Sequence, residues 1–216
     1  MKSGAALLLA IFLAAPAFAQ VSVPPPAPPN SSLRLFALAS AQRFTAGDTF
    51  EAVFDGAVHP FFGGGLQAVV KRNWFIEGTI SYFKKTGERA FVFQGETTGL
   101  GIPLTASVLP LEFTAGYRFV GAPKSRVTPY LGGGIGAYKY KESSDFDESG
   151  DEVDTTQAGY QLLAGVEFRM TRRLWSAIDI QYTHVPGILG EGGISAELGD
   201  DDLGGIAVRY RLMVGN

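Results

Sequence analysis

From residue 33 onward, apolar and polar side chains alternate with a period of two in eight separate stretches. We place these at 33–46, 61–71, 74–84, 104–119, 127–141, 157–170, 174–185 and 203–214. A period of two sends successive side chains to opposite faces of a strand, so each stretch has two faces that can be read separately. In 157–170, Tyr160, Leu162, Ala164, Val166, Phe168 and Met170 share one face, against Gly159, Gln161, Leu163, Gly165, Glu167 and Arg169. In 203–214, Ile206, Val208, Tyr210, Leu212 and Val214 oppose Ala207, Arg209, Arg211 and Met213. In 104–119, Leu109, Leu111, Phe113, Ala115, Tyr117 and Phe119 oppose Glu112, Thr114, Gly116 and Arg118. The stretches at 74–84 and 174–185 repeat the pattern, with Glu77 and Asp179 on the polar face. In the first two stretches the pattern is weakest, because Leu33 to Ala41 and Phe61 to Val70 show apolar residues on both faces.

The connections also alternate. Segments 71–73, 120–126 and 171–173 are short, whereas 47–60, 85–103, 142–156 and 186–202 are long. An even strand count with short and long connections in turn is the pattern of an outer-membrane barrel, whose short turns are periplasmic and whose long loops are external. The expected fold is therefore all-β: an eight-stranded antiparallel transmembrane up-and-down β-barrel with both chain ends at the periplasm. Periodicity alone also fits a soluble sandwich or lipocalin with its faces exchanged. Aromatics near the strand ends favour the membrane, where they form interfacial girdles. These are Trp74, Tyr82, Tyr117, Phe119, Tyr130, Tyr138, Tyr140, Phe168, Trp175, Tyr182 and Tyr210.

Residues 1–19 read as a signal peptide: Lys2, an apolar stretch from Ala5 to Phe18, and the cleavage pattern Ala17-Phe18-Ala19. Residues 20–32 are proline-rich and read as a periplasmic leader, leaving 33–216 as the barrel domain. Loss of Lys2 leaves 17 basic residues against 21 acidic ones, about −4, which argues against a nucleic-acid partner. The absence of cysteine excludes a disulfide framework and a thiolate metal site.

The Gly-rich run Pro129-Tyr130-Leu131-Gly132-Gly133-Gly134-Ile135-Gly136 and the closing Leu203-Gly204-Gly205-Ile206-Ala207-Val208-Arg209-Tyr210 are similar to the bacterial outer-membrane β-barrel domain family, which includes the small OmpX-type and OmpA-type barrels. The resemblance implies a cell outer-membrane location, with contact to outer-membrane lipid and lipopolysaccharide. It also implies recognition by the assembly machinery, whose signal Gly205-x-x-Val208-x-Tyr210 resembles, although the chain continues to Asn216.

If the polar faces point inward, Glu77, Glu112, Arg118, Glu167, Arg169, Asp179, Arg209 and Arg211 meet in the lumen. An eight-stranded barrel is just wide enough for side chains to fill, so a structural ion-pair network is expected rather than a catalytic acid pair or an aqueous pore. The segment Glu142–Asp154 carries seven acids and no base, and Asp145, Asp147, Ser149 and Asp151 resemble the opening of a calcium loop. Its twelfth position is Thr156 instead of Glu, so a solvated acidic loop is expected, with loose cation binding as the alternative. Tyr182-Thr183-His184-Val185-Pro186 is faintly similar to the strand end of lipid A deacylase barrels, where a nucleophilic Ser stands two residues after the His. Here that place is Pro186, and Glu197 is at the distance of an orienting acid. No catalytic motif, metal site or cofactor is expected.

The expected function is a non-enzymatic barrel with surface-exposed loops, in adhesion or envelope structure, with an extracellular ligand at the long loops. A lipid-modifying barrel enzyme and a carrier of a small apolar ligand are the alternatives.

Overall fold

A computed structural model describes residues 31–93, 96–121, 125–144, 153–189 and 193–216, with side chains 91–97 excepted. The expected signal peptide lies outside these residues, as does all of the proline-rich leader except Ser31 and Ser32, which already belong to the first strand. The elements in order are β1 (Ser31–Phe44), α1 (Gly47–Phe54), β2 (Val58–Val70), β3 (Trp74–Phe93), β4 (Glu96–Arg118), β5 (Val127–Ser143), β6 (Val153–Arg169), β7 (Leu174–His184), α2 (Gly193–Leu198) and β8 (Gly205–Gly215).

The strands pair antiparallel with their sequence neighbours, and β1 pairs with β8, so the sheet closes without an edge. Closure satisfies every strand's backbone from its neighbours, the condition for a sheet to sit in lipid. Following paired residues round the barrel from Arg34 through Gln67, Glu77, Thr114, Gly134, Gln161, Thr183 and Gly205 returns to Phe44, ten residues further along β1. That stagger tilts the strands and sets how wide the interior is.

The outer surface is the apolar face read in the sequence. Leu35, Leu66, Ile80, Leu111, Phe113, Ile135, Leu162, Ile180, Val208 and Val214 are all exposed on it. In water such a continuous apolar surface would drive association; it suits lipid. No described helix is long and apolar enough to cross a membrane, so any crossing is made by strands.

Three expectations need correction. Segment 85–103 is not an irregular loop: β3 and β4 run on as a long ribbon beyond the barrel, with a register shift between Glu88 and Ala90. Segments 47–60 and 186–202 contain the short helices α1 and α2. Tyr130, Tyr138, Tyr140 and Trp175 do not join the outer girdles, because they point into the barrel, at 4–6% exposure. Position along a strand suggested a girdle, but parity decides the face: Tyr130, Tyr138 and Tyr140 share theirs with Gly132, Gly134 and Gly136. Trp74, Tyr82, Phe119, Phe168, Tyr182 and Tyr210 do face outward.

Candidate functional site: the filled lumen and the upper rim

The inward faces of β4 and β5 show how the interior is made to fit. Their glycines leave room that large side chains from neighbouring strands take up. A Cβ at Gly116 would sit 2.4 Å from the Phe75 ring, and one at Gly132 would sit 3.1 Å from it. One phenylalanine thus occupies the space above two glycines. Phe75 packs with Phe36, Leu38, Val69, Tyr130, Leu163, Trp175, Ala177 and Met213 in the half of the barrel nearer the short turns.

The charged network threads this half. Arg211 Nη1 pairs with Glu77 Oε2 at 2.5 Å, and its Nη2 pairs with Asp179 Oδ2 at 3.0 Å. Asp179 Oδ1 pairs with Arg209 Nε at 2.5 Å, and Arg209 Nη1 stands 3.8 Å from Glu112. Glu167 is held by Arg34 at 2.8 Å and by Arg118 at 2.6 Å. Neutral groups join the pairs. Tyr130 donates to Asp179 (2.6 Å) and accepts from Arg211 (2.5 Å), while Tyr138 and Gln181 each donate to Glu112 at 2.8 Å. Gln67 donates to Glu77 at 2.9 Å and accepts from Arg34 at 3.3 Å, linking the two groups of ion pairs. The Arg34 guanidinium lies over the Trp175 ring, 4.2 Å from its centre.

Seven of the eight residues read from sequence as lumen charges are therefore buried and paired. Arg169 is the exception: it is exposed at the short-turn rim, where its Nε donates to the Thr171 carbonyl at 3.3 Å. It has the inward parity of β6, but it is the last residue of that strand and lies past the packed interior. Arg34 is the fourth buried arginine. The sequence reading missed it because β1 carries apolar residues on both faces, which hid its parity; the charge at position 34 within that run was the available signal.

Towards the long loops the interior changes character. A small cavity of about 20 Å³ is bounded by Ser40, Gln42, Ser81, Glu112, Tyr138, Gln181, Thr183 and Arg209, room for roughly one water. Arg209 Nη2 and Gln181 Oε1 have no protein partner. Beyond it, Phe44, Phe50, Val53, Phe54, Phe61, Phe83 and Leu203 close the mouth as an apolar plug. Phe44 and Phe50 stack at 3.8 Å, and His59 sits among Phe44, Phe50, Phe54 and Phe83 with ring centres 5.1–6.1 Å away. Helix α1 supplies Phe50, Val53 and Phe54. Its own N-cap, Ala46, makes no side-chain bond, and Asp200 takes over, accepting from Thr49 N (3.0 Å) and Thr49 Oγ1 (2.7 Å). At the other end, Lys85 donates to the Phe54 carbonyl. An acid at the N-terminus and a base at the C-terminus match the helix dipole.

On the outer surface at the upper rim, His184 Nδ1 lies 2.8 Å from Asp202 Oδ2, and the Tyr160 ring is 5.1 Å from the imidazole. Asp202 Oδ1 accepts from the Val185 and Gly204 amides at 2.7 and 2.8 Å, so the carboxylate is firmly placed. The acid at His184 is Asp202, not Glu197, and Pro186 is where the resemblance puts a nucleophile. Asp145, Asp147, Ser149 and Asp151 of the acidic loop lie outside the described residues. Among the described residues, no three His, Cys, Asp or Glu gather as metal ligands.

Solved structures similar to this fold include Ail, the attachment invasion locus protein of Yersinia pestis. It is 15% identical, with 86% of this chain and 97% of that one covered and a TM-score of 0.49. The N-terminal β-barrel domain of Pseudomonas aeruginosa OprF is 10% identical, over 86% and 97% of the two chains, with a TM-score of 0.48. Outer Membrane Protein W of E. coli is 18% identical, over 84% and 96%, with a TM-score of 0.43. No curated protein matches the sequence. The model of the outer membrane protein beta-barrel domain matches residues 5–210, nearly the whole chain, and the protein belongs to that outer-membrane family.

Proposed function

We propose that this outer-membrane barrel is a non-enzymatic scaffold for its long loops, acting in surface adhesion or envelope structure. The observation that carries this reading is the filled interior. Paired charges interleaved with the Phe75 cluster occupy one half and an aromatic plug the other, with room between them for about one water. A solute path or an apolar-ligand pocket would need space that these side chains occupy, which leaves the loops and the outer surface as the working parts. The test compares cells with the full protein, with residues 145–152 shortened to a Gly-Ser turn, and with no protein. Surface adherence and detergent resistance should fall on loop shortening while the heat-modifiable barrel band persists, and purified protein should give no stepped conductance in planar bilayers. Conductance steps, or phenotypes indifferent to the loops, would overturn the reading.

A second reading rests on the His184–Asp202 pair at the upper rim, a base with its orienting acid facing the lipid side. A protein-dependent loss of an acyl chain from extracted lipid A, abolished by His184→Ala, would establish it. An unchanged mass spectrum would dismiss it.

A further inference from the structure

The two ends of the barrel carry opposite charge. At the long-loop end, the exposed acids Asp48, Glu51, Asp55, Glu88, Asp154, Glu197 and Asp201 outnumber the exposed cations Arg43, Lys84 and Lys139, the last of which pairs with Asp154. At the short-turn end, the exposed charged side chains among the described residues are Lys71, Arg72, Arg126, Arg169, Arg172 and Arg173, all cationic. Glu167, two residues from Arg169 in β6, is buried and already held by Arg34 and Arg118. Among the described residues, none of these six cations forms an ion pair.

The hairpin that presents two of these cations is built at a conformational cost. Lys71 and Arg72 are consecutive residues with left-handed backbone, at φ 50° and 67°. That is the pattern of a type I′ turn, where Asn-Gly is the usual pair because a β-carbon is disfavoured there. The turn is also pinned from below. Arg118 Nη1 donates to the Arg72 carbonyl at 2.9 Å, and Asn73 Nδ2 donates to the Arg118 carbonyl at 2.9 Å. Two long cationic side chains are thus held outward where a smaller, unstrained pair would close the hairpin better. Strain kept at a charged, solvent-facing position points to a use for the charge.

The collar also sits beside membrane-interface aromatics. Trp74 follows the turn directly, is 58% exposed, and meets Tyr117 edge-on at 5.1 Å, with Phe119 beyond at 5.2 Å from Tyr117. Such a girdle lies at headgroup depth, so Lys71 and Arg72 lie level with lipid phosphates. We propose that the short-turn end is a binding surface for anionic phospholipid headgroups of the periplasmic leaflet, with Lys71, Arg72, Arg126, Arg169, Arg172 and Arg173 as the phosphate-facing cations. The proposal rests on the outer-membrane barrel orientation, in which short turns are periplasmic. Guanidinium groups suit it, since their forked donors match phosphate oxygens.

The protein contains its own reporter. Of its two tryptophans, Trp74 faces lipid beside the turn, and Trp175 is buried beneath Arg34. The full-length barrel is reconstituted in phosphatidylcholine vesicles containing an equal fraction of brominated phosphatidylglycerol or brominated phosphatidylcholine. Fluorescence quenching of Trp74 then gives the relative association of the two lipids. Brominated phosphatidylglycerol should be preferred by about fivefold for each engaged cation, and the preference should shrink in high salt. In the double variant Lys71→Asn, Arg72→Gly, which places the favoured turn pair at the hairpin and keeps the fold, the ratio should fall by about fivefold for each of the two cations removed. Arg72→Lys, which keeps the charge, should preserve it. Equal quenching by both lipids in the native protein, or a double variant whose ratio is the same as that of the native protein, overturns the proposal. Quenching by neither lipid means that Trp74 does not face a bilayer at all, and overturns the barrel orientation beneath it.

Discussion

The two halves of the lumen are filled differently: the one nearer the short turns interleaves paired charges with the Phe75 cluster, and the one nearer the long loops is an apolar plug. Nearer the short turns, four carboxylates (Glu77, Glu112, Glu167, Asp179) and four arginines (Arg34, Arg118, Arg209, Arg211) are buried in a connected set of pairs. Nearer the long loops the filling is aromatic, and much of it comes from α1, a helix inserted into the mouth. The charged half is made of strand residues alone, fixed by register, and holds cross-barrel partners at set distances. The aromatic half depends on a short helix whose ends are tied down by Asp200 and Lys85. The first is rigid by construction; the second is attached. A buried ion pair is costly to desolvate and contributes specificity more than stability, whereas the plug contributes through apolar burial.

The largest test of this contrast is Arg211→Ala. It leaves Glu77 and Asp179 without a cation they both use, and the expected loss is about 3–5 kcal/mol, measured by denaturant unfolding of the reconstituted barrel. The same change at exposed Arg169 should cost under about 0.5 kcal/mol. Comparable losses at the two sites would erase the distinction between lumen and rim. Next is Phe50→Ala in the plug, which removes a fully buried ring and should cost about 3 kcal/mol. Its effect should be local: amide hydrogen exchange should quicken in α1 and the upper strand ends and stay slow around Glu77 and Asp179. If protection fell throughout the barrel, the two halves would be one cooperative unit. The smallest effect is at the tether. Asp200→Ala removes the acceptor for Thr49 and should cost about 1 kcal/mol, read as faster exchange in α1 with the barrel unchanged.

Much of this was legible in advance where a strand has one clean apolar face. In β6 and β8 the alternation set Glu167, Arg209 and Arg211 on the face opposite the apolar residues, and once that face is inside, their pairing follows because buried charges require partners. It was illegible where parity is masked. Arg34 sits among Leu33, Leu35, Phe36 and Leu38, so β1 did not reveal its inward face until its register with β2 and β8 was set. Position along a strand misled at Tyr130, Tyr138, Tyr140 and Trp175, which are near the ends but on the inner face. The plug was invisible for another reason: its contacts join α1 to residues far away in sequence, and Asp200 caps a helix 151 positions before it.

The sequence by itself determined the strand number, the alternating connections and the lipid-compatible outer face. These follow from local periodicity and composition, which each segment carries independently of the others. Only the tertiary structure decided which arginine meets which acid, that Arg34 and not Arg169 completes the network, that α1 closes the mouth, and that Asp202 rather than Glu197 holds His184. The physical reason is register. A stagger of ten residues around the barrel determines which inward positions of different strands stand level with one another, and no single strand contains that information.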